Sequence, residues 1–138
     1  MNDTSSRALV ELTVEECMAK LSQTFLGRLA YVVEGHPRIL PVNHAYRDGA
    51  VVFRTGYGPL IEAVHGNPVA YEVDDYDLTD HSGWSVVVQG IAEEVWREPD
   101  LDEVRALPLR PWAPGDRDHY IRIVPTAITG RRIGTPEP

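Results

Sequence analysis

Apolar and polar positions alternate over most of this chain with the two-residue period of strands. Gly27-Arg28-Leu29-Ala30-Tyr31-Val32-Val33-Glu34 predicts a first strand, Gly35-His36-Pro37 a tight turn, and Ile39 to Tyr46 a second strand. Arg47-Asp48-Gly49-Ala50 carries the Asp-Gly hairpin signal, so Val51 to Thr55 is expected to run back antiparallel to the strand before it. Val69 to Asp74 alternates as a half-buried strand after a Gly66-Asn67-Pro68 turn, and Asp75 to Gly83 is too polar for anything but a loop. Trp84 to Val95 is a long strand in which Gly90 marks a bulge or a close backbone approach, and Tyr120 to Val124 is the last strand.

Helical spacing is confined to short stretches. Val14, Cys17, Met18 and Leu21 form an apolar stripe ending near Ser22, behind a capping box of Thr13 and Glu16, with Leu12 placed to staple against Cys17. Pro59 opens a second helical stretch to Val64, and Asp100 to Leu107 makes a short acidic one before a Pro/Trp-rich loop from Leu109 to Asp118. Several strands joined by short turns, with too few helices to cross over between parallel neighbours, predict a mainly β fold built as an antiparallel barrel. Its own side chains fill a barrel this small, so a ligand would sit on its outside or between two copies.

Composition adds bounds. A chain of 138 residues, 43% hydrophobic and 25% charged, has the profile of one globular domain over 1–138, with 1–10 and 135–138 as its flexible ends. No run approaches the roughly 18 apolar residues of a spanning helix, and the polar start MNDTSSR lacks the core of a signal peptide, so a cytoplasmic protein is expected. Cys17 is the only cysteine, which excludes an internal disulfide and a CxxC metal knuckle. The formal charge of −8 argues against nucleic acid as a partner. That charge is uneven: residues 1–104 hold 7 basic and 18 acidic side chains, residues 105–138 hold 6 and 3. Either the C-terminal segment lies on an acidic body, or Arg117, Arg122, Arg131 and Arg132 include ligand contacts.

The candidate chemistry is concentrated between Arg38 and Gly58. Arg54 brings a guanidinium fork suited to phosphate, Thr55 a hydroxyl, and Gly56 and Gly58 allow close approach to bare backbone N–H groups. The helix that follows would point its first N–H groups the same way. The plainer alternative makes Arg38 and Arg54 strand residues paired with acidic neighbours, Trp84 a core residue, and Pro41-Val42-Asn43 the end of a ladder. The five histidines show no i,i+4 spacing, and the aspartates from Asp74 to Asp80 lack the Gly and Glu of a calcium loop, so no metal is expected. No spacing identifies a general base.

The order helix, strand, R-x-x-P-V-N strand, Asp-Gly turn, Phe53-Arg54-Thr55-Gly56-Tyr57-Gly58, helix, N-P-V-A-x-E-V-D, then Gly83-Trp84-Ser85-Val86-Val87-Val88-Gln89-Gly90 resembles the pyridoxamine 5′-phosphate oxidase-like family. The likeness covers about Thr13 to Gly134 and is strongest to the subgroup that includes nitroimidazole-reductase-like proteins. It implies a six-stranded split barrel, a homodimer with two FMN molecules between subunits, and hydride transfer through the flavin. By resemblance the ring lies along Pro41-Val42-Asn43, and Arg38, Phe53-Arg54-Thr55 and the loop to Gly58 hold phosphate. Trp84, Ser85, Trp112, Arg117, His119 and Arg131, with Arg132, are the candidates to reach across the dimer. Trp112 to His119 is similar to the substrate-phosphate segment of true pyridoxamine phosphate oxidases, one residue out of register. One departure stands out: the family's basic residue after the glycine loop is replaced by Pro59-Leu60, and Lys20 is the only lysine in the chain. Three alternatives to an FMN enzyme stay open: use of the deazaflavin F420, a non-catalytic flavin or haem carrier, and a structural protein with an empty cleft.

Overall fold

The computed structural model describes residues 8–56, 58–109 and 119–134. In chain order the elements are β1 (Ala8–Glu11), α1 (Val14–Gln23), β2 (Leu26–Val33), β3 (His36–Asn43), β4 (Ala45–Arg47) and β5 (Ala50–Thr55). They continue with α2 (Gly58–Val64), β6 (Pro68–Asp77), β7 (Ser82–Val95), α3 (Asp100–Arg105) and β8 (His119–Gly134). One antiparallel sheet runs β3-β2-β6-β7-β8-β5-β4, with β1 added to β8, and it does not close on itself. Six longer strands and two short ones thus make a split barrel, as expected.

Local signals set the positions of several elements. Thr13 Oγ1 accepts from the Glu16 N–H at 3.1 Å and Glu16 Oε1 from the Thr13 N–H at 2.9 Å, so the capping box starts α1 where the sequence marks it. The helix buries Cys17 and Leu21. It packs on Gly130 of β8, where an added Cβ would stand 2.6 Å from Cys17 Sγ and 3.0 Å from Leu12 Cδ1. Glu34-Gly35 and Asp48-Gly49 share φ values of 52° and 79°, the paired positive angles of two-residue hairpin turns. The first turn therefore lies one residue before the expected Gly35-His36-Pro37, and His36 and Pro37 open β3. Proline is tolerated there because β3 is an edge strand.

Three further strand expectations are corrected. The single strand from Ile39 to Tyr46 is broken at His44: β3 pairs only with β2, while β4 turns away to pair with β5, so the stretch from Arg38 is not one hairpin. Asp75-Tyr76-Asp77, expected as loop, extends β6, whose ladder with β7 continues to Asp77 opposite Ser82. The last strand runs from His119 to Gly134 rather than from Tyr120 to Val124. Pro125, the apparent end of that strand, sits opposite Gly90, where the β7–β8 register shifts and a Cβ on Gly90 would overlap the Val124 carbonyl oxygen. The bulge lets β8 pass its proline without losing the ladder. Ala8–Glu11, whose first three residues fall within the end expected to be flexible, pairs with Gly134–Arg131.

The core lies inside the barrel. Phe53, Tyr71, Leu21, Leu29, Ile121 and Ile123 are fully buried in one cluster. A smaller cluster of Val52, Val95, Val104, Leu109 and Tyr120 sits beneath α3.

Candidate functional site

The residues singled out in the sequence fall into three places. Arg54 shares a face of β5 with Val52, toward the α3 cluster, and there its Nη1 donates to the Leu109 carbonyl at 3.1 Å while the guanidinium lies 5.4 Å from the Tyr120 ring centroid. Thr55, one position on, points to the opposite face and is buried, and Phe53 is fully enclosed in the main core. The β5–β8 register sets His119 opposite Thr55, and His119 Nδ1 lies 2.8 Å from Glu94 Oε2. Arg122 is bound by Glu93 at 2.6 Å and lies 3.8 Å from Asp100. For that arginine the acidic-body reading of the C-terminal charge is the one observed. Gly58 opens α2 with nothing within 4 Å of an added Cβ. Trp112 and Arg117 lie outside the described residues.

β3 forms the second place. Arg38, exposed, lies opposite Tyr31 on the face that Leu40 and Val42 share, and those two pack on the main core. Arg38 therefore stands on the edge strand β3 and Arg54 on β5, last but one at the other end of the sheet order, and these two strands approach each other across the split of the barrel. The other face carries Ile39, 71% exposed, and Pro41, opposite Ala30 and Arg28, and Val32 adds a further exposed apolar side chain beside Pro37. Behind β3 lies a polar group that sequence reading did not single out. His44 is buried, with its N–H donating to the Phe25 carbonyl at 3.0 Å, Nδ1 2.7 Å from the Tyr71 hydroxyl and Nε2 3.1 Å from the Leu21 carbonyl. The Tyr71 hydroxyl also lies 3.0 Å from the Val42 carbonyl. Burial holds the His44 pKa below its ordinary value, and with the neutral ring donating from Nε2 to Leu21, its Nδ1 and the Val42 carbonyl share the one Tyr71 hydroxyl proton. This network pins Val42 and the break after Asn43, and the only hint in the sequence is a histidine set in an apolar run.

On the outer face of β2 and β6, Arg28 Nη1 reaches Glu72 at 3.3 Å and Asp74 at 3.0 Å. Desolvation, reinforced by the hydrogen bond and charge of Asp74, pushes the Glu72 carboxyl up to about 7 against the pull of Arg28.

The third place is the far end of β7. Trp84 pairs with Arg132 and Ser85 with Arg131 across the β7–β8 ladder, and Trp84 is half-buried against the core. It lies eleven positions from Val95, a contour of roughly 35 Å at ~3.3 Å per residue. Because Val95 pairs with Tyr120 and Tyr120 with Arg54, one chain holds its Trp84 and its Arg54 far apart. A groove of about 730 Å³ opens beside Trp84, lined also by Lys20, Tyr76, Leu78 and Arg132. Lys20 Nζ stands 4.7 Å from the Trp84 ring centroid. Arg132 enters this groove, whereas Arg131 is exposed beside it. Lys20 and Tyr76 were not anticipated, because only tertiary structure brings residues 20, 76, 84 and 132 together.

Known proteins share this arrangement of elements. The family model for pyridoxamine 5′-phosphate oxidase matches residues 13–132. An uncharacterised protein of Mycobacterium tuberculosis is 38% identical over 135 residues, spanning 94% of this chain and 88% of the relative. The solved structure of an FAD-binding protein from Mycobacterium smegmatis is 38% identical and superposes with a TM-score of 0.79 over 92% of this chain and 99% of that one. An FAD-binding protein from Mesorhizobium loti is 27% identical, with a TM-score of 0.76 over 90% and 97% of the two chains.

Proposed function

Because the chain belongs to the pyridoxamine 5′-phosphate oxidase family, we propose that it binds a flavin, FMN or its adenylylated form FAD, between two copies of itself and transfers hydride through it in the cytoplasm. The observation that carries this reading is the 38% identity, over nearly the whole chain, to a protein of the same fold that binds FAD.

The residues present fit the group. A flat tricyclic ring needs a flat apolar surface, and the outer face of β3 and β2 offers Ile39, Pro41 and Ala30. A phosphate needs cations and N–H donors. Arg38 stands exposed on the edge strand, whereas Arg54 would have to exchange its bond to the Leu109 carbonyl for the phosphate, and Thr55, buried on the opposite face of β5, would offer only its backbone. The distance between the Arg54 end and the Trp84 end of β7 is compatible with a second copy, whose Trp84, Ser85 and Arg131 would complete a cleft opened by the first.

When bound, the flavin supplies the redox chemistry, accepting or giving hydride at its ring. The protein's part is positioning. The edge of β3, held by the His44–Tyr71–Val42 network, orients the ring, and the apolar faces of two copies keep water from it. No side chain is assigned as a proton donor.

The test is titration of the purified full chain with FMN, FAD and F420, read by visible absorbance and calorimetry, with sedimentation to follow the dimer. Saturable binding of FMN or FAD to a dimer is the expected result. Protein that takes up neither flavin, or takes up only F420, overturns the reading.

A further inference from the structure

We infer that the groove beside Trp84 binds a planar aromatic ring system carrying an anionic group, of which an adenylate is the fitting example. The inference rests on the flavin reading above in one respect only: it names the adenylate half of FAD as one source of that ligand.

The groove has the size of a small-molecule site, about 730 Å³. Its floor is the indole of Trp84, half-buried against the core and so fixed in orientation. Tyr76, 69% exposed, and Ile133, 49% exposed, add apolar surface to a lining that is otherwise polar in good part. Three carboxylates line it, and each accepts a bond within the β6–β7 hairpin: Asp75 from the Tyr76 N–H at 2.8 Å, Asp77 from the Thr79 N–H at 2.8 Å, and Asp80 from the Ser82 hydroxyl at 2.6 Å. The two cations line the same groove, and both act on the Glu16 carboxylate of α1, which is held below its usual pKa first by its bonds to Thr13 and then by the charges of Arg132 and Lys20. Among the described residues, neither Lys20 nor Arg132 has a carboxylate within 4.0 Å.

An aromatic floor flanked by two cations with no carboxylate within 4.0 Å among the described residues matches a flat ring with a phosphate or carboxylate at its edge. Lys20 now rests over the indole at 4.7 Å from its centroid. Its ammonium sits on a flexible stem, and a single exposed cation–π contact is weaker than the stacking of a base on an indole. An entering ring therefore displaces the lysine, which swings aside to meet the ligand's anion. The chain's only lysine thus stands at this groove.

Calorimetry on the full chain with AMP, FMN and FAD separates the cases, using wild type, Trp84→Ala, Trp84→Phe and the surface double variant Lys20→Gln/Arg132→Gln. In wild type FAD binds about tenfold or more tighter than FMN, the size of one base–aromatic stack. Trp84→Ala brings the two flavins to parity, Trp84→Phe keeps most of the difference, and the double variant weakens FAD while leaving FMN within about twofold. AMP binding alone, lost in Trp84→Ala, with FAD and FMN equal, supports the groove but assigns it a free aromatic anion. AMP binding with no uptake of either flavin leaves the groove standing and removes the flavin reading. If AMP does not bind, and FAD and FMN bind equally in wild type and in the double variant, the groove proposal is wrong while the flavin reading survives.

Discussion

At the Val95 end of β7 the protein uses its own cations: Arg54 donates to the Leu109 carbonyl at 3.1 Å beneath a cluster closed by α3, and Arg122 is bound by Glu93 at 2.6 Å. At the Trp84 end, along the same two strands, Lys20 and Arg132 flank an indole and meet no carboxylate within 4.0 Å among the described residues. A cation satisfied inside the fold contributes to stability and is costly to move. A cation left over an open groove contributes little to folding and is available to a ligand. The two ends should therefore answer mutation in opposite currencies, one in stability and the other in binding.

The sharpest way to break that contrast is a pair of aromatic truncations. Phe53→Ala empties a fully enclosed position and is expected to destabilise by about 3–5 kcal/mol in urea unfolding. Trp84→Ala removes a larger side chain that is only half-buried and is expected to cost no more than about 2 kcal/mol. Equal losses would make Trp84 a core residue and the groove a by-product of packing.

The next test concerns the corner that bends the chain between the two sheet edges. His44→Ala removes a buried partner of the Tyr71 hydroxyl and of the Leu21 carbonyl, which keep the Val42 carbonyl at 3.0 Å and the Thr24 hydroxyl at 3.4 Å, and is expected to cost about 2–3 kcal/mol with the cavity it leaves. The wild type should also show an acid limb of its own. The folded pKa of His44 is depressed, so its contribution is complete above the unfolded value of about 6.5 and is lost as pH falls toward the folded value. Unfolding curves from pH 8 to pH 5 should therefore converge for wild type and His44→Ala as the pH drops. A constant gap would show that His44 titrates normally.

What could be read in advance follows the same division between local and distant. The capping box of α1, the Asp-Gly turn and the Gly90 bulge each depend on residues within a few positions, or on a glycine whose missing Cβ is its own signal, and each is where the sequence puts it. The break at His44 was not legible, because a histidine in an alternating run looks like any outward strand residue until Tyr71 and Leu21 close around it. β8 continues past the expected end at Val124 because the partner strand's bulge at Gly90 lets the ladder pass Pro125, which the local pattern does not show. Arg38, Arg54 and Trp84 were found as residue types, but their separation on the sheet follows from strand order, which alternation does not encode.

A smaller effect is expected from the satisfied cation itself. Arg54→Ala removes a part-buried bond to the Leu109 carbonyl and the contact with Tyr120, and should cost about 1–1.5 kcal/mol. Lys20→Gln, at the open end, should fall within about 0.5 kcal/mol of wild type, since its cation–π contact is exposed. Two equal, measurable losses in thermal or urea unfolding would mean that the groove's lysine is as structural as Arg54, and the contrast between the ends of β7 would collapse.

The smallest expected change lies on the outer face between those ends and has a defined sign. Glu72 has its folded pKa raised to about 7, against an unfolded value near 4.3, so its favourable contribution exists at low pH and is lost as pH rises from about 4.3 through 7. Above that window the ionised carboxyl is held beside Asp74, and Arg28, at 3.3 Å from one and 3.0 Å from the other, serves both. Glu72→Gln keeps the shape and an acceptor for Arg28 while removing the charge. Its Tm should therefore match wild type near pH 4 and exceed it slightly at pH 8. A variant less stable than wild type at pH 8 would mean that Arg28 depends on both carboxylates, and that this face, like the Val95 end of β7, has already satisfied its charges within the fold.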